Sequence, residues 1–159
     1  MAELDHELIS TSKLLELVPA EKLTWQPHPK AMTLGQLANH VASLPGRYLT
    51  FADDGTTTLE VLGEHKSPKT KNEILQNFSA STAKAKQLLG VADEKWFGQS
   101  WNLTKNGSVV FTLPVSLFTR LLVFNHWFHH RGQLSTYLRT LNVPLPAIYG
   151  FSADENPFA

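Results

Sequence analysis

Pro114-Val-Ser-Leu-Phe-Thr-Arg-Leu-Leu-Val-Phe-Asn-His-Trp-Phe-His-His-Arg-Gly-Gln-Leu-Ser-Thr-Tyr-Leu-Arg-Thr-Leu141 is the longest helical pattern in the chain. Proline suits a helix start, and Asn142 with Pro144 closes the far end. Three of the seven histidines crowd into its middle, at 126, 129 and 130. On a wheel of ~100° per residue with Leu117 at zero, Arg120, Arg131 and Arg139 fall between roughly 300° and 40°. That sector predicts the solvent face. His126, at ~180°, then faces inward, with His129 at ~120° and His130 at ~220° on its two shoulders. Pairs at i,i+3 and i,i+4 both place imidazoles on adjacent turns, so spacing leaves the partner of His126 open. Trp127, at ~280°, falls beside the arginine sector, a weak pointer to a contact surface.

Outward from this helix the chain reads as further helices. Leu4, Leu8, Leu15 and Val18 recur at helical spacing until Pro19. Prolines 19, 27 and 29 mark a non-helical crossing. Thr33 with Gln36 is a capping-box pattern, opening a second helix through Leu37, Val41 and Leu44. Pro45-Gly46 is expected to interrupt it, with a resumption to Asp53-Asp54-Gly55. Residues 55–66 read as a polar loop. A third helix is expected from Ser67-Pro68 to Leu89, ended by Gly90. Asn106-Gly107 between Trp101–Leu103 and Val109–Phe111 signals a β-hairpin.

The expected fold is all-α: a mainly antiparallel four-helix bundle with a small hairpin between the third and fourth helices. One domain spans 1–159, with 142–159 as a packed C-terminal tail. The core is expected to include Leu37, Val41, Leu44, Phe78, Leu122 and Leu134.

His40 shares the face of Leu37 and Leu44 on the second helix, within ~60° on the wheel. A lone histidine there is ordinarily a satisfied core residue. A further inward pair from another helix makes a ligand set for a divalent metal with a position left open. The alternative is a polar core cluster satisfied by Asn39 and Gln133. Gln133 and Tyr137 each lie ~20° from a site histidine on the wheel and are expected near the pocket. Arg47 either reaches the pocket mouth or is a solvated charge. Glu3-x-x-His6 has the spacing of di-iron bundles, but no carboxylate stands between Pro114 and Leu141 to complete that chemistry. His28 and His65 sit in loops and are expected to be solvated.

Composition excludes other classes. Fourteen basic residues balance fourteen acidic ones, which gives no electrostatic case for nucleic acid or an anionic membrane. The chain has no cysteine, so disulfides, thiolate metal sites and a cysteine nucleophile are excluded. No phosphate loop, Gly-x-Ser-x-Gly elbow or His-Glu-x-x-His motif is present. With no signal-peptide pattern at the start and no membrane-length apolar run, a cytoplasmic location is expected.

Asn125-His-Trp-Phe-His-His-Arg-Gly-Gln-Leu-Ser-Thr-Tyr-Leu-Arg139 resembles the last-helix signature of the DinB/YfiT-like superfamily of metal-binding four-helix bundles. Leu37-Ala-Asn-His40 matches the place of its first ligand, and Trp25-Gln-Pro its crossing before that helix. The tail from Val143 to Glu155 resembles the ending of DinB-type members. The resemblance implies a metal triad of His40, His126 and His130, with His129 a neighbour. It implies zinc or a nickel-like ion, a homodimer, and a place among thiol-dependent transferases and isomerases that use low-molecular-weight thiols. The expected activity is a metal-dependent S-transferase acting on a small thiol and an electrophile. The alternatives are a non-catalytic metal- or ligand-binding bundle of stress response and a metal-dependent hydrolase, for which His129 is the local base candidate.

Overall fold

A computed structural model describes residues 1–156. The expected tail residues 157–159 lie outside the described residues. The chain is mostly helical. Helix α1 spans Ala2–Glu16, and a 3-10 turn at Ala20–Lys22 leads into the crossing. Helix α2 runs Leu34–Asp54, followed by strand β1, Thr56–Thr58, and the short α3, Leu59–Leu62. Helix α4 covers Lys71–Val91, and a single turn, α5, covers Glu94–Phe97. Strands β2, Ser100–Lys105, and β3, Ser108–Pro114, come next. The last helical stretch is α6, Val115–Phe118, a π-helical segment at Thr119–Asn125, and α7, His126–Thr140. No helix among the described residues is long and apolar enough to cross a membrane.

The expected start of α2 is present in full. Thr33 Oγ1 accepts from Gln36 N, and Gln36 Oε1 accepts from Thr33 N, so two otherwise orphaned donors are satisfied. Gly55 ends the helix at φ 69°, a left-handed position that a Cβ would disfavour. The expected interruption at Pro45 is overturned, because α2 runs unbroken through it. Proline has no N–H to give the Val41 carbonyl four residues back. Trp127 Nε1 donates to that carbonyl at 2.9 Å instead, so α7 supplies the bond that proline removes. One turn of α2 is also pressed against α4. A Cβ on Gly46 would lie 2.5 Å from the Ser81 carbonyl oxygen, and Gly46 N donates to Ser81 Oγ at 2.8 Å.

Two boundaries differ from expectation. Helix α4 begins at Lys71 rather than Ser67-Pro68, because Thr70 caps Glu73 N and Glu73 Oε2 accepts from Lys69 N. The stretch 55–66, expected as loop, holds β1 and α3. Strand β1 pairs in parallel with β2, Thr56 opposite Asn102. β2 and β3 pair antiparallel around Asn106-Gly107, whose φ values of 51° and 76° are those of a tight two-residue turn. The sheet is therefore three-stranded, in the order β1-β2-β3.

Leu37, Val41, Leu44 and Leu134 are buried, while Phe78 and Leu122 pack against the core partly exposed. The expected solvent face of the last helix is wrong at Arg131, which is only 2% exposed, and at Trp127, which is fully buried. The π-helical segment is the cause. His126 N–H reaches the Leu121 carbonyl, five residues back. An i→i+5 ladder turns less per residue than an α-helix, so a wheel begun at Leu117 is out of phase beyond it.

Candidate metal centre

His40 stands in the second turn of α2 and is 3% exposed. His126 and His130 stand on the first two turns of α7, half-buried. The three rings converge. His130 Nε2 lies 2.7 Å from His126 Nε2, which lies 3.5 Å from His40 Nε2. One ligand nitrogen from each can be chosen so that all lie within 4.8 Å of one another, a group that could hold a metal ion.

Hydrogen bonding leaves these nitrogens short of partners. A neutral imidazole carries one proton. His130 Nδ1 faces Gln133 Oε1 at 2.8 Å, an acceptor, so the proton sits there and Nε2 is a bare lone pair. His126 Nε2 can donate to only one of its two neighbours, and His126 Nδ1 is buried with no well-formed hydrogen bond, only the Leu122 backbone beside it. Nitrogens held ~2.0–2.1 Å from a tetrahedral ion stand roughly 3.3 Å apart, between the two separations found. The donor set therefore fits a divalent ion.

The cluster is also held uncharged. Burial first, then the neighbouring imidazoles, pushes His40 down to about 2. Burial pushes His130 down to about 4, against the opposing Gln133 bond. Burial lowers His126 too, the Leu122 backbone opposing it. Neutral imidazole is the ligating form. Tyr48 packs its ring edge-on to His40 and to His126, with centroids 6.2 and 5.2 Å away.

Two cavities flank the cluster. One of about 260 Å³ has mostly apolar walls, including Tyr48, Leu59, Leu62 and Leu122, and opens on His126 and His130. The other, of about 310 Å³, lies between α2 and α4 and opens on His40. His65 lines both. The loop histidine is exposed, as expected, but its ring also sits edge-on to His40, centroids 4.9 Å apart. The residue is exposed overall, but burial and then Arg47 lower its pKa. Nothing in the sequence pointed to His65, because the polar stretch around it carries no periodicity. Tyr48 was equally silent, since four residues after Leu44 it is one more apolar position at helical spacing.

The remaining candidates separate. Gln133 is at the site, bonded to His130. Arg47 reaches the cavity mouth, donating to the Val61 carbonyl and, at 2.9 Å, to the Glu64 carbonyl. Tyr137 is not at the cluster: its hydroxyl donates to the Met32 carbonyl and its ring meets Trp25. His129 is exposed and lies outside the converging group, although its ring centroid is 5.0 Å from that of His130.

The model of the DinB family matches residues 5–156. A DinB-like protein of Bacillus subtilis superposes with a TM-score of 0.71 at 17% identity, covering 92% of this chain and 95% of that one. A DinB-like protein of Bacillus cereus gives a TM-score of 0.69 at 24% identity, covering 93% and 94%. No curated protein matches the chain.

Proposed function

The chain belongs to the DinB family, and from that premise we propose that His40, His126 and His130 hold one divalent ion, zinc or nickel, for transfer of a low-molecular-weight thiol to an electrophile. The observation that carries this reading is the convergence of three neutral imidazoles with no carboxylate among them. The long helices are read with it as an antiparallel four-helix bundle, and a homodimer is part of the same proposal. Trp127 offers that dimer no surface, because it is buried.

When bound, the ion supplies positive charge that stabilises a thiolate over a thiol. The chain supplies the rest. Gln133 fixes the proton of His130 on Nδ1 and so aims Nε2 at the centre. Burial keeps His40 neutral at physiological pH. With no cysteine in the chain, the sulfur must come from a co-substrate. The mostly apolar cavity suits an uncharged electrophile, and its walls hold no carboxylate to serve as general base toward water. In the transfer a sulfur–carbon bond forms, the leaving group departs with its bonding pair, and the thiol proton passes to solvent.

Elemental analysis of the untagged protein tests the first half. One ion per chain is expected in the wild type and none in His126→Ala; equal content in both removes the assignment. Conjugate formation from a panel of small thiols and a chromogenic electrophile tests the second half. Rates no faster than those of His130→Ala would leave a non-catalytic metal-binding protein.

A further inference from the structure

The 310 Å³ cavity between α2 and α4 differs in character from the apolar one. Its wall carries Arg47, Lys66 and Lys84 against a single carboxylate, Glu64. Glu64 is already engaged, its Oε2 3.4 Å from Arg47 Nη2. Lys66 and Lys84 have neither an ion pair nor a hydrogen bond among the described residues. In a chain of zero net charge, two unneutralised ammonium groups face one concavity. The floor adds a donor. Asn39 is 5% exposed and spends Oδ1 on Asn77 Nδ2 at 2.7 Å. Its own Nδ2 has no partner among the described residues and belongs to a side chain on the cavity wall. The floor itself is braced: Ser81 Oγ donates to the Ser43 carbonyl at 3.0 Å and ties α4 to α2.

Two unpaired lysines and a free amide N–H outweigh the acceptors left on this wall, Asn77 Oδ1 and Glu64 Oε1, and that balance is the complement of an anion. His40 lines the same cavity, so a molecule seated there has one end at the histidine cluster. We propose that this cavity is an anion-recognition site that seats the carboxylate or phosphate of a small-molecule co-substrate beside His40. This rests on reading the cluster as the reactive centre. It adds that the polar co-substrate enters by the α2–α4 groove while the apolar partner enters from the far side of His65.

Isothermal calorimetry on the metal-free full-length protein tests the cavity without the ion. The probes are succinate, inorganic phosphate and the uncharged succinamide. Succinate or phosphate is expected to bind and succinamide is not; the tighter anion tells carboxylate from phosphate. Lys84→Gln is expected to weaken the anion roughly tenfold, and Lys66→Gln less, the size of one lost charge-assisted contact. Lys84→Arg keeps the charge and is expected to restore binding. Equal affinity in wild type and both glutamine variants, or binding of succinamide as tight as succinate, overturns the proposal. Zinc-loaded protein titrated with mercaptosuccinate and 2-mercaptoethanol separates the two readings. Lysine-dependent succinate binding with no gain for mercaptosuccinate upholds the cavity and removes the thiol. Tight 2-mercaptoethanol binding with no lysine-dependent anion binding upholds the thiol and removes the cavity.

Discussion

Helix α7 carries two polar clusters on different faces, and they are built on opposite principles. Arg131, one residue after His130, is buried with full charge. Its Nη1 donates to the Glu7 carbonyl at 3.2 Å, Ser10 Oγ at 2.9 Å and Thr11 Oγ1 at 3.1 Å. Its Nη2 pairs with Glu7 Oε2 at 2.5 Å and donates to the Tyr149 hydroxyl, which itself donates to Glu7 Oε2 at 2.8 Å. The guanidinium also lies over the Phe128 and Tyr149 rings, each centroid 5.2 Å away. The histidine cluster is uncharged, yet its nitrogens point mainly at one another. A buried charge with each partner supplied is a fastening: it ties the tail and α1 to α7. Neutral lone pairs that converge, with Gln133 bonded to them from outside, are instead a group that could hold a metal ion.

The largest expected effect would break this contrast if it spread. Arg131→Met leaves Glu7 as an uncompensated buried charge, and a loss of about 3–5 kcal/mol in urea unfolding is expected. Zinc stoichiometry should stay at the wild-type value. Loss of the metal as well would show that the two clusters are one unit. His126→Ala should do the reverse. The stability of the metal-free protein should hold, while the gain from zinc, about 2.7 kcal/mol at a hundredfold excess over Kd, disappears.

Gln133→Ala sharpens the contrast further. It removes the group that fixes His130, and a 10- to 100-fold drop in zinc affinity is expected from competition with a chromogenic chelator. An unchanged affinity would make Gln133 a bystander. Trp127→Phe should cost about 1 kcal/mol by orphaning the Val41 carbonyl. Pro45→Ala returns an N–H to that carbonyl, so in a double-mutant cycle the two changes should be less than additive. Strict additivity would argue against the exchange of bonds described for α2.

An effect of another kind is expected in pH. His40 and His130 are held at about 2 and about 4, while histidines of the unfolded chain titrate near 6.5. Below about pH 6.5 the unfolded state binds more protons, so stability of the metal-free protein falls as pH drops. The contribution of His130 levels off near pH 4, where it protonates in the folded state too. His130→Gln should flatten the profile between 6.5 and 4. A variant with the wild-type slope there would refute the assignment.

Much of this was legible in the sequence. Thr33 and Gln36 announced the start of α2, and Asn106-Gly107 the hairpin, because each motif is closed within a few residues. The histidines of α7 were legible as a cluster, but the choice between His129 and His130 needed the family resemblance. What sequence reasoning missed depended on contacts far along the chain. Pro45 reads as a helix breaker until Trp127, from another helix, takes its place. Arg131 reads as a surface charge until Glu7 and Tyr149, near the two ends of the chain, are seen to meet it. His65 carries no local signal, since only the fold brings its loop over His40.

The π-helical segment from Thr119 to Asn125 has a consequence for how the last helix tolerates insertion and deletion. A widened turn is how a helix absorbs an extra residue without giving up its direction. Deleting one residue there would leave the spacing from His126 to Arg131 untouched and change only the angle between Phe118 and His126. The histidines and the arginine would rotate together, as a dial turns all its marks at once. The length of this segment is therefore an adjustable setting for which faces of α7 look toward α2 and α1. An alignment that forbids gaps inside helices would hide such a change, even between chains that share every ligand.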